Sequence, residues 1–289
     1  MQFITSLAFS DPSNFCEVAR AADECSWDGI VVSEHLVHPE KIKSPYPYTK
    51  DGAPRWEAPS PWPDPWVAIG AMAAVTERIH FYTGIYVLPL RHPLVVAKAV
   101  GTAAIMSGGR VHLGIGVGWM KEEFDLLDQS FRNRGKRTDE MIEILRKLWG
   151  GGMVEHHGEF YDFDRLQMSP APAEPIPIIV GGVSEAALRR VGRLGDGWIS
   201  DIHTTEELRE IVAKIRSYRA ECGRAEAPLE IVAACSDAFD VDDFRRLEDV
   251  GVTHVQTMPW LMYGGSTDSL DDQRDGLRRF ADDVLAKLR

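Results

Sequence analysis

The stretch PIPIIVGGVSEAALRRVGRLGDGWISD, residues 175–201, contains one complete strand–helix–strand unit. Its apolar run Pro175–Gly182 predicts a β-strand, and the segment Gly197–Asp201 predicts a second one. Between them, Ser184–Gly195 predicts a helix, because serine is a preferred N-cap residue and glycine is a common stop. Two strands joined in this way are typical of a parallel sheet.

The same alternation of short apolar runs and helical patterns continues along the 289-residue chain. Eight strands alternating with eight helices favour a closed (β/α)8 TIM barrel over an open doubly wound sheet. Since one barrel can occupy a chain of this length, we predict a single barrel domain over residues 1–289. The other predicted strands are Gln2–Phe9, Gly29–His35, Arg78–Pro89, Arg110–Gly118, Leu229–Ser236 and Thr253–Pro259.

Two connecting segments are longer than ordinary loops. They are residues 35–63 after the second strand and residues 129–173 after the fourth strand, which contains a predicted helix and hairpin. Long loops in a compact domain are generally functional. Both follow the carboxyl ends of strands, which form the active-site face of a barrel, so we expect a substrate wall and a lid. Surface decoration or an oligomer contact is the alternative.

The composition excludes several classes of function. With 32 basic and 44 acidic residues, the net charge of −12 argues against a general nucleic-acid binder. The N-terminus lacks a signal-peptide pattern and no apolar run reaches membrane-spanning length, which predicts a cytoplasmic protein that does not insert into membranes. Its four cysteines form no metal or disulfide pattern, so we expect reduced thiols.

The glycine-rich stretch GGRVHLGIGVGWMKEEF, residues 108–124, raises the question of a dinucleotide site. Its spacing is G-x-G-x-G, whereas a Rossmann fingerprint needs G-x-G-x-x-G and a second strand about 20 residues later. Gly114 and Gly116 lie inside an apolar strand pattern, which indicates close packing in the barrel interior. Gly118 ends that strand, where exposed backbone could lie against a ring system.

Three blocks of the chain, in order, resemble the luciferase-like flavin/deazaflavin-dependent oxidoreductases, and in particular the branch that uses coenzyme F420. The blocks are DPWVAIGAMAAVTERI, TGIYVLPLRHPLVVAKAVGTAAIMSGGRVHLGIGVGWMKEEF and PIPIIVGGVSEAALRRVGRLGDGWI. The resemblance implies a barrel with the cofactor over the carboxyl ends of its strands, and a homodimer. It also implies a non-prolyl cis peptide at Ile85–Tyr86, behind the cofactor ring.

Glu34 and His35 end the second predicted strand and are the candidate catalytic residues. A histidine there could donate a proton to the cofactor ring or to the substrate, because its pKa moves easily across neutrality. Related deazaflavin enzymes carry an acidic residue followed by histidine at this position. A cap or a supporting hydrogen bond is the alternative role. The pair His35 and His38 lacks a third ligand, so we predict no metal site.

The cofactor contacts divide between two parts of the chain. The turn Gly181–Gly182 before Ser184 offers free backbone N–H groups at a helix N-terminus, which suits a phosphate; a plain strand–helix turn is the alternative. By resemblance, this phosphate-binding segment extends to Glu185. The resemblance also assigns backbone or side-chain contacts with the cofactor to Ile85, Tyr86, Val117, Gly118 and Glu122.

The candidate substrate pocket is aromatic: Tyr46 and Trp56 in the first long loop, Trp119 after the fourth strand, and Trp260 after the eighth. Such residues favour an apolar or planar substrate, although core packing or a dimer interface could also use them. The sugar-phosphate dehydrogenases that this chain resembles have a glutamate at the position of Trp119. The replacement therefore argues against sugar-phosphate oxidation.

The sequence thus predicts hydride transfer between coenzyme F420 and a small organic substrate, with the cofactor supplying the difficult chemistry. An FMN-dependent monooxygenase of the same superfamily is the near alternative, because flavin N5 supports oxygen chemistry that the deazaflavin carbon disfavours. The blocks GVGWMKEEF and VGGVSEAALRR favour the deazaflavin. A non-catalytic cofactor-binding barrel and a metal-dependent barrel hydrolase are alternatives from other classes.

Overall fold

The computed structural model describes residues 1–289 and shows a closed barrel of eight parallel strands. Each strand pairs with the next one along the chain, and β8 pairs with β1 to close the barrel. The barrel expected from the alternating pattern is therefore confirmed. The strands are β1 Gln2–Ser6, β2 Gly29–Val32, β3 His80–Thr83, β4 Val111–Gly116, β5 Ile178–Gly181, β6 Gly197–His203, β7 Glu230–Cys235 and β8 His254–Thr257.

Helices surround the barrel, and each strand is followed by a helix after its carboxyl end. Asp64 and Ser184 cap their helices as expected, each accepting hydrogen bonds from backbone N–H groups of the first turn. The helices are α1 Phe15–Glu24, α2 Pro65–Ala73, α3 Pro93–Met106, α4 Lys121–Leu126, α5 Arg134–Trp149, α6 Glu185–Arg193, α7 Thr205–Glu221, α8 Val241–Val250, α9 Pro259–Met262, α10 Leu270–Phe280 and α11 Ala286–Leu288.

The predicted third strand, Arg78–Pro89, is interrupted in the structure. It consists of β3 and a two-residue strand, Tyr86–Val87, which also pairs with β4. The non-prolyl cis peptide lies between Gly84 and Ile85, one bond earlier than the expected Ile85–Tyr86. The pattern of apolar residues continues through this break, so the sequence alone predicts one long strand.

The glycines of β4 provide the room that this interruption needs. A Cβ atom on Gly114 would overlap the carbonyl oxygen of Thr83, and one on Gly116 would overlap the side chain of Ile85. Both glycines therefore allow the chain after β3 to approach β4 closely. Their predicted packing role in the barrel interior is confirmed.

Two apolar layers hold the barrel together. The larger layer lies between the outer faces of the strands and the helices. The barrel interior is filled by six buried side chains from six strands, as is usual for this fold. They are Ile4, Val31, Tyr82, Ile179, Ile199 and Val232. These residues close the barrel below its carboxyl end.

Both long loops have the positions predicted for them. Residues 33–64 contain no helix or strand and lie over the carboxyl end of the barrel. The segment between β4 and β5 contains α4, α5 and an antiparallel hairpin of Met153–His157 with Asp162–Gln167. No helix of the structure has the length and apolarity that a membrane span requires.

Candidate functional site

A large cavity, which we call the apical cavity, opens at the carboxyl end of the barrel. Its volume is about 1300 Å³, and the residues that line it come from the ends of all eight strands and from the loop 33–64. This is the face on which barrel enzymes place their active sites. The predicted residues that line it are Glu34, His35, Tyr46, Trp56, Ile85, Val117, Gly118, Trp119, Glu122, Gly181, Gly182 and Ser184.

His35 contacts a carboxylate that the sequence analysis did not single out. Its Nδ1 atom lies 3.4 Å from Oε1 of Glu123, which is buried at the start of α4. The same oxygen accepts a hydrogen bond of 2.8 Å from the backbone N–H of Leu36. The Nε2 atom of His35 makes no hydrogen bond within the protein and is not sealed from solvent. The Nδ1 atom of the imidazole is therefore held by Glu123, and the Nε2 atom is available to a bound molecule.

Glu34 points to a different partner. Arg91 donates to both of its oxygens, at 2.8 and 2.7 Å, and the backbone N–H of Val87 donates at 2.7 Å. Burial raises the pKa of Glu34, while Arg91 and Val87 oppose that rise. Burial alone would lower the pKa of Arg91, but Glu34 raises it. Since both oxygens are occupied, Glu34 is held as an anchor between β2 and the segment after β3.

Glycine backbone forms one wall of the apical cavity beside Ile85. Gly118 has a φ of +80°, and a Cβ atom on it would lie 2.7 Å from Cγ1 of Val87. A Cβ atom on Gly181 would lie 2.8 Å from Cγ2 of Ile85. Neighbouring side chains thus block the Cβ positions of both glycines, whose backbone approaches Val87 and Ile85 closely where it lines the cavity.

Three consecutive backbone N–H groups, of Gly182, Val183 and Ser184, form what we call the amide cradle. None of them donates to an acceptor in the protein, and all three residues line the apical cavity. They precede α6, whose dipole adds positive potential at the same point. Arg134 also lines the cavity, and its guanidinium donates two hydrogen bonds, to the carbonyl oxygens of Gly118 and Phe131. This end of the cavity suits an anionic group.

Five rings that line the cavity form what we call the aromatic cluster: His35, Tyr46, Trp56, Trp62 and Trp119. The His35 ring lies 4.6 Å from that of Trp56 and 5.9 Å from that of Trp119, measured between centroids. Tyr46 packs edge-on against Trp119 at 5.1 Å. Burial, and then Asp201, raise the pKa of Tyr46 to about 12, so its hydroxyl stays protonated at neutral pH.

Two polar contacts fix the loop 33–64 over the cavity. Arg55 donates to both oxygens of Asp201, at the end of β6, at 2.8 Å each. On the other side, Glu122 accepts from the backbone N–H groups of Lys43 and Ser44. Burial opposes ionisation of Glu122, but these hydrogen bonds hold its pKa below the usual range. The loop is thus tied both to β6 and to α4, the helix that follows β4.

Three predicted site residues lie outside the cavity. Glu185 is exposed and binds Arg189 and the hydroxyl of Tyr218, because the first turn of α6 directs it toward α7. Trp260 is fully buried between α9 and α10 instead of lining the pocket. Tyr86 packs against Trp66 and under the Arg91 guanidinium, so its ring turns away from the cavity.

The sequence analysis also missed the partners that orient the predicted residues. Glu123 and Arg91 are 88 and 57 positions from the side chains they bind, so no local spacing connects them. The only available signal was that Arg91 follows strand three and Glu123 follows strand four, at the end of the barrel where ionisable side chains face the active site. No group of three or more His, Cys, Asp or Glu side chains could hold a metal ion.

Comparison with known proteins identifies the class of barrel. The family model described as luciferase-like monooxygenase matches residues 3–279. An uncharacterised protein of Mycobacterium tuberculosis is 38% identical over 291 residues, covering 100% of both chains. The chain therefore belongs to the luciferase-like monooxygenase family, a family of barrel oxidoreductases, as the sequence blocks predicted.

Two further relatives carry descriptions of their activity. The F420-dependent glucose-6-phosphate dehydrogenase of Nakamurella multipartita is 30% identical over 270 residues, covering 91% of this chain and 74% of that one. The solved structure of an F420-dependent secondary alcohol dehydrogenase in complex with an F420–acetone adduct aligns with a TM-score of 0.78 and 17% identity. That alignment covers 100% of this chain and 99% of the other, and it shows that the two share a fold.

Proposed function

We propose that this protein is an oxidoreductase that transfers a hydride between coenzyme F420 and a small organic substrate. The observation that carries the proposal is the arrangement of the apical cavity, which is lined by unpaired N–H groups after β5 and by an available histidine nitrogen after β2. Its relatives in the luciferase-like family include proteins described as F420-dependent. Together they support a deazaflavin over another redox cofactor.

The residues of the cavity fit such a cofactor. The amide cradle would hold its phosphate, since three N–H groups without protein partners lie at a helix N-terminus. The backbone of Val117 and Gly118, with Ile85 behind, would support its ring, because all three residues line the cavity and Gly118 has no side chain. When bound, the deazaflavin supplies a two-electron hydride donor or acceptor.

His35 accepts or donates the proton that accompanies hydride transfer. When an alcohol is oxidised, its carbon loses a hydride and the Nε2 atom of His35 accepts the hydroxyl proton. When a carbonyl is reduced, the same nitrogen returns a proton to the oxygen. An imidazole can both accept and donate a proton, and such proton transfer contributes roughly 10²- to 10⁴-fold to rate.

The aromatic cluster defines the kind of substrate. Its three tryptophan rings pack against His35, and Tyr46 packs against two of them. A planar or apolar molecule would stack against these rings next to the proton-transferring nitrogen. The sugar-phosphate substrate in the name of the Nakamurella relative is not part of this proposal. The reason is that Trp119 stands where the resemblance implies a glutamate in sugar-phosphate dehydrogenases.

The test compares two chemistries on the purified protein. With reduced F420 under anaerobic conditions, we expect oxidation of the cofactor by members of a panel of planar enones, quinones and ketones. With reduced FMN and oxygen, we expect no oxygen uptake above that of free reduced FMN. A yellow, FMN-loaded protein that consumes oxygen would instead establish an FMN-dependent monooxygenase. Binding of F420 without turnover of any acceptor would favour a non-catalytic barrel.

A further inference from the structure

We propose that Glu123 is a positioning residue that fixes the tautomer of His35, so that the Nε2 lone pair faces the apical cavity. This inference rests on the proposed function, because that function gives His35 its proton-transfer role. It starts from the contact between Glu123 Oε1 and His35 Nδ1 at 3.4 Å. Neither the family model nor the names of the relatives assigns a role to Glu123.

The hydrogen bonds around Glu123 determine which nitrogen carries the proton. Its Oε1 atom accepts from the backbone N–H of Leu36 at 2.8 Å, so that oxygen is an acceptor. An ionised carboxylate has only acceptor oxygens, and its neighbour must therefore be a donor. The proton of the neutral imidazole is thus placed on Nδ1, which leaves Nε2 unprotonated. The partner of one ring nitrogen sets the role of the other.

The helix that carries Glu123 explains why this contact forms. Glu122 and Glu123 are consecutive on α4 and therefore point in directions about 100° apart. Glu122 binds the backbone of Lys43 and Ser44, whereas Glu123 turns inward to His35. Trp119 lies four residues before Glu123. Glu123 thus provides a carboxylate near His35. Trp119 occupies the position at which the resemblance implies a glutamate in sugar-phosphate dehydrogenases.

No other charged side chain forms a hydrogen bond or an ion pair with the His35 ring. Glu34 precedes it in the chain, but Arg91 and the Val87 backbone occupy the oxygens of Glu34. The remaining neighbours of the imidazole are the rings of Trp56, Trp62 and Trp119. Aromatic packing restrains the plane of the imidazole but does not select a tautomer, so this selection falls to Glu123.

The test measures the tautomer directly, on protein without cofactor. Protein with ¹⁵N-labelled histidine is studied by two-bond ¹H–¹⁵N NMR, and the His35→Gln variant assigns the His35 signals. We expect the Nδ1–H tautomer as the dominant neutral form of His35 in the wild type. A dominant Nε2–H form would overturn the proposal without any substitution at Glu123.

The Glu123→Gln variant adds a second measurement. Its amide oxygen can still accept from Leu36, so the backbone contact is retained while the charge is lost. We expect the dominance of the Nδ1–H tautomer of His35 to be lost, because a neutral amide can donate as well as accept and no longer requires a donor at Nδ1. The matched control, Glu122→Gln, loses the same charge from the same helix but contacts Lys43 and Ser44 instead of His35, and should leave the tautomer as in the wild type.

An unchanged tautomer ratio of His35 in folded Glu123→Gln would reduce Glu123 to a backbone contact of Leu36 and overturn the proposal. These NMR results do not depend on the identity of the cofactor. A protein that fails to bind F420 but shows the expected tautomer would therefore contradict the proposed function and leave the positioning role supported.

Discussion

The two ends of the barrel each contain a histidine next to a carboxylate, but they differ in what the histidine can do. At the carboxyl end, His35 has one nitrogen bound to Glu123 and the other open to the apical cavity. At the amino end, both nitrogens of His112 lie against protein groups, and the buried Nδ1 makes no hydrogen bond. Its Nε2 atom lies 2.9 Å from Nδ1 of His80, and its Nδ1 atom lies 3.2 Å from Oε2 of Glu230.

The amino-terminal residues form what we call the basal cluster: His80, Tyr82, His112, Glu230 and His254. The Tyr82 ring stacks on that of His112 with centroids 4.2 Å apart. Burial, and then His112, lower the pKa of His80 to about 4, and burial also lowers the pKa of His254. Interlocked rings with lowered pKa values, as at His80 and His254, suit structural support. A histidine–carboxylate contact therefore indicates chemistry only when the second ring nitrogen is available.

The largest effect that separates the two ends is expected from His35→Gln. Since this variant removes the proposed proton-transferring group, kcat for oxidation of reduced F420 by the best acceptor should fall about 10²- to 10⁴-fold. The thermal midpoint and the Kd for F420 should change little, because His35 lies beside the substrate and not at the amide cradle. Retention of kcat within about threefold would show that another group transfers the proton.

The corresponding substitution at the basal cluster, His112→Ala, should affect stability instead. It removes the ring stacked on Tyr82 and the contacts with His80 and Glu230. We expect the free energy of unfolding in urea to fall by about 2–4 kcal/mol. His157→Ala, in the exposed hairpin, is the control and should cost less than about 0.5 kcal/mol. An equal loss in both variants would remove the structural role assigned to the basal cluster.

The basal cluster should also make stability depend on pH. The pKa of His80 is about 4 in the folded protein, whereas an unfolded histidine has its ordinary value near 6.5. Between these values the unfolded chain binds a proton that the folded chain does not. Stability therefore falls as the pH decreases from about 6.5 to about 4, and His80 contributes no further loss below that range.

The size of this effect is about 1–2 kcal/mol after allowance for solvent screening around the partly exposed His80 ring. Urea unfolding at intervals between pH 7 and pH 4 measures it, with the His80→Gln variant as the reference that lacks the titrating group. The wild type should lose more stability than His80→Gln across this window. Parallel curves would mean that His80 titrates equally in the folded and unfolded states.

The smallest effect is expected from Arg55→Lys, which weakens the tie between the loop 33–64 and Asp201. Lysine cannot reproduce the two parallel hydrogen bonds that Arg55 makes to Asp201. We expect a change in unfolding free energy below about 1 kcal/mol, as for other surface pairs, and a KM for the acceptor that rises about two- to fivefold. A large loss of stability with unchanged KM would make this loop part of the barrel's structural support.

The sequence predicted the barrel and the residues that end its strands because those features are local. Alternating apolar runs identify strands, and Ser184 after two glycines identifies the start of a helix. Since all parallel strands end on one face, His35, Gly118 and Gly182 could be placed together before any contact was known.

What the sequence did not reveal depends on side-chain direction and on distant contacts. Glu185 and Trp260 follow strand ends but turn outward or into the core, because the helices that carry them set their directions. Glu123 binds a residue 88 positions away, and only the packing of α4 on the loop 33–64 brings them together. The cis peptide at Gly84–Ile85 has no sequence signal apart from the glycines opposite it.

Titration of the purified protein with F420 and, separately, with FMN tests the central claim most directly, by following the quenching of cofactor fluorescence. The account predicts saturable binding of F420 with a Kd at least about tenfold below that for FMN, a difference of about 1.4 kcal/mol. Equal or tighter binding of FMN would contradict the assignment of the apical cavity to a deazaflavin.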